Sequence, residues 1–373
     1  MSRCVAITGT VAATLAGGLA WAGHELPIYP SYYPHEIDIA TVAPGRAVAL
    51  IERSQIQAYV GADPHPATLP ASVDVVESLG SFIVVAVNPG SSRDACAVTA
   101  AVIDELAGHG GDFVFHPYPV TPFHGDYLYH ADLATVAKRR WVESGVEGPK
   151  GLKVKAIGAL ARSLMREDWQ TQALDWDAEV LEVDAGVMVG QAMTGVNGWV
   201  GPPWLRKGWF QADLLLGDAL IDPESKTRAA ADLERLTNGD YEDMAERINL
   251  ERDLVGLLSG GCHKTVAGYT VRHQYYNDDY SAGIENIAYD SVTGFDSPMF
   301  LRTAKLKDFP WNGWLGLGTD GHPTAAWNPI AGFTDDFGRL LWLAIGDPAA
   351  LPAPNDSGWT INRIADVAAS PTR

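Results

Sequence analysis

Three imidazoles, two carboxylates and three phenols fall within the 17 residues from His116 to Asp132 (HPYPVTPFHGDYLYHAD). Nitrogen and oxygen donors at this density are what a borderline transition ion takes, so His116, His124, Asp126, His130 and Asp132 are candidate ligands for copper, iron or zinc. Tyr118, Tyr127 and Tyr129 would flank such a centre or a redox cofactor. The spacing lacks the helical i, i+4 logic of His-Glu-x-x-His. The same residues could therefore simply hydrogen-bond a Pro-rich crossover with no strand partner.

Three other regions carry candidate chemistry. The turn Asn88-Pro-Gly-Ser91-Ser92-Arg93 precedes a helix, and its hydroxyls, arginine and unpaired amides would suit an anion, unless it is an ordinary capped loop. Trp311 and Trp314, with Trp327 downstream, could stack on a sugar or planar cofactor, with Asp320, His322, Asp335 and Asp336 as polar neighbours; packing in a core or interface is the alternative. Near the N-terminus, His24, Glu25, Tyr29, Tyr32, Tyr33, His35 and Glu36 could chelate copper through a new amino terminus. No Gly-x-Ser-x-Gly elbow, Walker A motif or Cys-x-x-Cys-His occurs.

Residues 1–22 read as a signal peptide: Arg3, an uncharged stretch from Cys4 to Ala22, and a final Ala-Trp-Ala. Cleavage would make the protein periplasmic, and an uncleaved segment would tether it to the membrane. The formal charge is −19, and removing the one arginine of residues 1–22 makes it −20. Such a surface repels nucleic acid. The expected partner is a small-molecule ligand or another periplasmic protein. Cys96 and Cys262 remain after processing, either paired as a disulfide or buried as thiols.

The elements that must position these groups read as α/β passing into α+β. A helix over 44–53, a short strand over 56–60, a doubly buried strand over 81–88 (SFIVVAVN), a helix bearing Val98, Val102 and Leu106, and a strand over 112–116 suggest a βαβ-type, mostly parallel layered sheet. Ser91 and Asp94 form a capping-box-like start for the helix after the turn. Helices are expected at 133–141 and 152–166, and a strand at 177–189. Asp222-Pro223 to Asn238-Gly239, and Asp240 to Gly260, mark two further helices, with Glu242, Glu246 and Glu251 on solvated flanks. Beyond Cys262 short β-like runs are expected. The resulting division is a signal peptide (1–22), an α/β domain (23–195) and a helical, irregular, Trp-rich domain (196–373).

Three functions follow as expectations. The first is a metal or redox-cofactor protein, a subunit or accessory of an oxidising system, built on 116–132. The second is a periplasmic solute-binding protein for an anionic or sugar ligand. The third is a structural partner subunit.

Overall fold

The computed structural model describes residues 34–143, 149–196, 201–308, 313–322, 338, 341–342, 349–353 and 358–361. The expected signal segment, the candidate copper ligands up to Tyr33, Trp311, Trp327, Asp335 and Asp336 lie outside the described residues.

The chain runs β1 (Glu36–Thr41), α1 (Pro44–Glu52), β2 (Ala58–Tyr59), β3 (Val73–Val87), α2 (Ala95–Ala107), β4 (Phe113–Phe115), α3 (Ala131–Val142), β5 (Val154–Ile157), α4 (Ala159–Leu164), β6 (Ala178–Asp184) and α5 (Ala185–Val196). It continues through α6 (Gly208–Leu216), α7 (Pro223–Asn238), α8 (Met244–Ser259), β7 (Lys264–Asn277), β8 (Ile284–Glu285), α9 (Pro298–Thr303), β9 (Lys305–Leu306), β10 (Trp314–Thr319), β11 (Ala350–Pro352) and β12 (Trp359–Ile361). Among the described residues no helix is long and apolar enough to cross a membrane.

The fold is α/β, around a mixed eight-stranded sheet in the order β1-β10-β2-β7-β3-β6-β5, with β4 pairing to β7. The expected mostly parallel arrangement holds only at its two ends, where β1/β10, β10/β2 and β5/β6 are parallel. Its centre is antiparallel because β3 and β7, of 15 and 14 residues, run alongside each other for their whole length. After Cys262 the long β7 comes first, and the short runs expected there follow it as β8 to β12. Strands from both sides of residue 195 interleave in this one sheet.

Each long strand serves two parts of the sheet. Val73–Leu79 pairs with Val271–Asn277 near β2, whereas Phe82–Ala86 pairs with Lys264–Tyr269, with β6 on the far side of β3. The register shifts between Leu79 and Phe82. There Ser81 N donates to Thr270 Oγ1 at 2.7 Å, and a Cβ on Gly80 would meet that oxygen at 2.4 Å. Only glycine permits so close a crossing.

The continuous apolar run of β3 is buried on both faces, as its sequence predicts. Ile83, Val85 and Val87 enter a core with α2, α4 and Trp141 of α3, while Phe82 and Val84 enter another with α6 and α8. The period of two along a strand produces this division. The first part of the sheet packs Ala47 and Ile51 of α1 on Tyr59 and Val73, and Phe300 of α9 on Ala58 and Leu317.

Local expectations are met where capping is strong and corrected where it is not. Asp222 caps α7 and Gly239 ends it. Asp94 alone caps α2, accepting from Ala97 N, while Ser91 bonds elsewhere. The expected helix over 152–166 is instead β5 and a short, six-residue α4, because Gly158 at φ 109° breaks between them and Val154–Ile157 pairs with β6. The expected strand over 177–189 stops at Asp184, whose carboxylate accepts from Val187 N and so starts α5. Cys96 and Cys262 form a disulfide that ties α2 to the turn before β7.

Candidate functional site: an acidic cleft at the strand crossing

A cleft of about 850 Å³ lies where β3 and β7 cross, within the size range of ligand sites. Parallel strands deliver their carboxyl ends to it. Val60, Gly61 and Ala62 follow β2, Asp320, Gly321 and His322 follow β10, Ala159 follows β5, and Asp184 ends β6. Clefts of α/β sheets form at this end of the strands. Gly80, Ser81, Thr270, Val271, Arg272 and Gln274 supply the floor from the crossing itself.

The lining is acidic. Asp63, Asp112, Glu182, Asp184, Asp296 and Asp320 are six carboxylates, set against the guanidinium of Arg272 and the imidazoles of His65 and His322. The helix N-termini that open here would favour an anion, but they are already satisfied. Glu182 accepts from Leu160 N at 3.0 Å at the start of α4, and Asp184 from Val187 N at 2.8 Å at the start of α5. Asp184 also holds Arg272 at 2.7 Å, which removes the arginine as an anion receptor. Asp63 accepts from His65 N, His273 N and His273 Nδ1, and so fixes the segment after β2 to β7. His65 has φ 43°, a left-handed backbone held at the rim of the cleft. Burial pushes the Tyr275 hydroxyl up to about 12, with Asp63 adding to the effect.

The 116–132 segment lies apart from this cleft, packed into the core with α6 and α8. His116 Nε2 donates to Val120 O at 2.9 Å, and burial lowers its pKa. His124 uses both ring nitrogens, Nδ1 accepting from Thr121 N and Nε2 meeting Gln211 Oε1 at 3.0 Å; burial lowers its pKa too. Asp132 forms a two-pronged pair with Arg252, each contact 2.7 Å, and the guanidinium holds its carboxyl well below the usual range. Tyr127 is half-buried and Tyr129 exposed, its carbonyl bonded by Arg252.

Of the five candidate metal ligands, then, the fold brings together Asp126 and His130, and adds Glu251 from α8. All three are buried, with one donor atom of each within 4.8 Å of the others. Asp126 accepts from Gly208 N and Trp209 N at the start of α6. His130 Nδ1 meets the hydroxyl of Tyr118 at 2.9 Å, whose own pKa burial raises. Burial lowers the His130 pKa to about 4 and raises Glu251 to about 7, the latter helped by Asp126. Glu251 is no solvated flank: it sits one turn from Ile248, Leu254 and Val255 and two from Leu258, on the apolar stripe of α8. That position was the available signal, and reading charge alone overlooks it.

The remaining candidates take structural places. Arg93 Nε lies 3.1 Å from Asp177, its other nitrogens bond Lys150 O and Gly151 O, and Ser91 Oγ also donates to Asp177. Ser92 is exposed. The turn thus clamps the start of α2 to the segments that precede β5 and β6, its cation already neutralised. Trp314 is exposed on β10 beside a second, smaller hollow with Gln57 and Leu306. The residues of the cleft were legible only in part: Asp320 and His322 stand out in sequence, but as neighbours of tryptophans.

No protein-family model matches the chain, and no curated protein matches it. Among solved structures it is similar to the periplasmic EDTA-binding protein EppA, at 8% identity and a TM-score of 0.37 over 67% of this chain and 54% of that one. It is also similar to HbpA2 from Haemophilus parasuis, at 9% identity and 0.39 over 71% and 56%, and to NikA from Staphylococcus aureus in complex with Ni(L-His)2, at 12% and 0.34 over 68% and 54%. The chain spans just over half the length of these structures, and TM-scores this low carry no argument about what it does.

Proposed function

We propose that this chain is an exported solute-binding protein whose cleft takes a small cationic ligand bearing an ammonium or guanidinium group. The observation that carries the reading is the cleft itself, with six carboxylates about a single, already paired arginine. Four of the six, Asp63, Glu182, Asp184 and Asp296, are half-buried, and a cleft lined by one sign of charge concentrates the opposite ion. A cation is preferred to the anionic ligand expected from the 88–93 turn, since both that turn's arginine and the cleft's arginine are neutralised by aspartate. The Cys96–Cys262 disulfide fits an oxidising compartment such as the periplasm.

The test is a thermal-shift and calorimetry panel of basic amino acids, short lysine- or arginine-containing peptides and polyamines, with glutamate-containing peptides and neutral sugars as counterparts. A cationic member should raise Tm and bind, and Asp112→Asn should weaken it by about tenfold, roughly 1.4 kcal/mol. Equal response to the anionic or neutral counterparts, or none to any cation, would remove the reading.

A further inference from the structure

The geometry points to a second, separate site: a buried transition-ion centre formed by Asp126, His130 and Glu251, which pins the 116–132 segment to α8. Two atoms carry it. His130 Nε2 and Glu251 Oε2 are fully buried and have no hydrogen-bond partner among the described residues, and their residues belong, with Asp126, to a group whose ligand atoms, one from each, lie within 4.8 Å of one another. Buried polar atoms are almost always paired, so two orphans within one cluster of buried ligand-type side chains call for an occupant.

The surroundings select the occupant's chemistry. With its proton on Nδ1, His130 donates to the Tyr118 hydroxyl and leaves the Nε2 lone pair for a metal, the usual support of a ligating histidine. Asp126 is likewise fixed by two backbone N–H groups and keeps lone pairs to give. Arg247 lies 3.3 Å from the other oxygen of Glu251, and the charge of buried Lys207 acts on the same carboxylate. These cations oppose an ion held by charge alone, such as calcium or magnesium. They leave room for one held by a directed imidazole bond, and one nitrogen with two oxygens suits zinc or a neighbouring divalent ion. Bonds of about 2.0–2.2 Å require the three side chains to close by roughly 1 Å. Since all three are buried, the ion is enclosed on folding and holds structure, with no open face for a substrate.

The experiment is refolding of the untagged chain, its disulfide intact, in Zn(II) or in EDTA, followed by desalting and elemental analysis. The zinc-refolded protein should keep about one zinc per chain through an EDTA wash and melt above the EDTA-refolded form. His130→Gln and Glu251→Gln should each lose that zinc, while His109→Gln keeps it. Wild type that retains none, or retention by both variants, overturns the site. If the variants do not refold, wild type refolded in Co(II) decides: visible d–d absorption supports the centre and a colourless protein refutes it.

Discussion

At the scale of single residues, the 116–132 segment shows what density of chemical groups does and does not imply. Residues close in sequence share a segment, but their donor atoms converge only if the backbone turns them inward together. His116 and His124 are turned toward Val120 O and Gln211, Asp132 is turned out to Arg252, and only Asp126 and His130 meet. Their third partner lies more than a hundred residues away on α8, beyond the reach of any local motif. His116 has a consequence of its own. Its folded pKa lies below the unfolded value of about 6.5 because burial disfavours the imidazolium, so the unfolded chain binds more protons below that pH. Its contribution to stability is complete above pH 6.5 and is lost as pH falls toward the depressed folded pKa. Denaturant midpoints should therefore drop from pH 7 to pH 5, and His116→Gln, which can still donate to Val120 O, should show a shallower drop. An identical slope in the two proteins would mean that His116 is not the group responsible.

Among the elements, legibility followed the strength of local signals. The helices α2 and α7 announce themselves through an aspartate cap, and α7 also through proline at its first position and Gly239 at its end. The second half of β3, from Ser81 on, is legible because a strand buried on both faces must be apolar, whereas its first half carries exposed Asp74 and Glu77. By contrast β7 carries Arg272, His273, Gln274 and two tyrosines in its second part, where it crosses the cleft, and its sequence therefore looks irregular. The pairings between distant strands, β10 between β1 and β2 above all, leave no local trace. One long-range tie is testable directly. The disulfide joins α2 to the start of β7 across 166 residues, so it constrains a very long loop in the unfolded chain. Replacing both cysteines by serine should lower unfolding free energy by about 2–5 kcal/mol, read from denaturant curves. A loss below about 1 kcal/mol would show that the contacts around Thr99 and Cys262, including the Thr99 hydroxyl on Cys262 O, hold this junction unaided.

For the whole molecule, the two long strands are the argument. They join the part of the sheet covered by α1 and α9 to the part covered by α2 and α6–α8, and the cleft opens where the register slips. A two-strand connection with a bulge at its midpoint bends more readily than the packed layers on either side. Walls from both parts line the same space, Asp63 and Asp320 from one and Glu182 and Val187 from the other. A ligand that touches both favours the bent, closed arrangement by its differential contacts. Saturation with a ligand of the proposed cationic class should therefore reduce the radius of gyration measured by small-angle scattering. Gly80→Val should interfere at the pivot, since its side chain would strike Thr270 Oγ1 and the Thr270 carbonyl. Overpacking of this kind costs about 1–3 kcal/mol, so the variant should fold, melt lower, and bind with little compaction. Scattering curves that coincide with and without a bound ligand would make the crossing a rigid floor, and the cleft a preformed site.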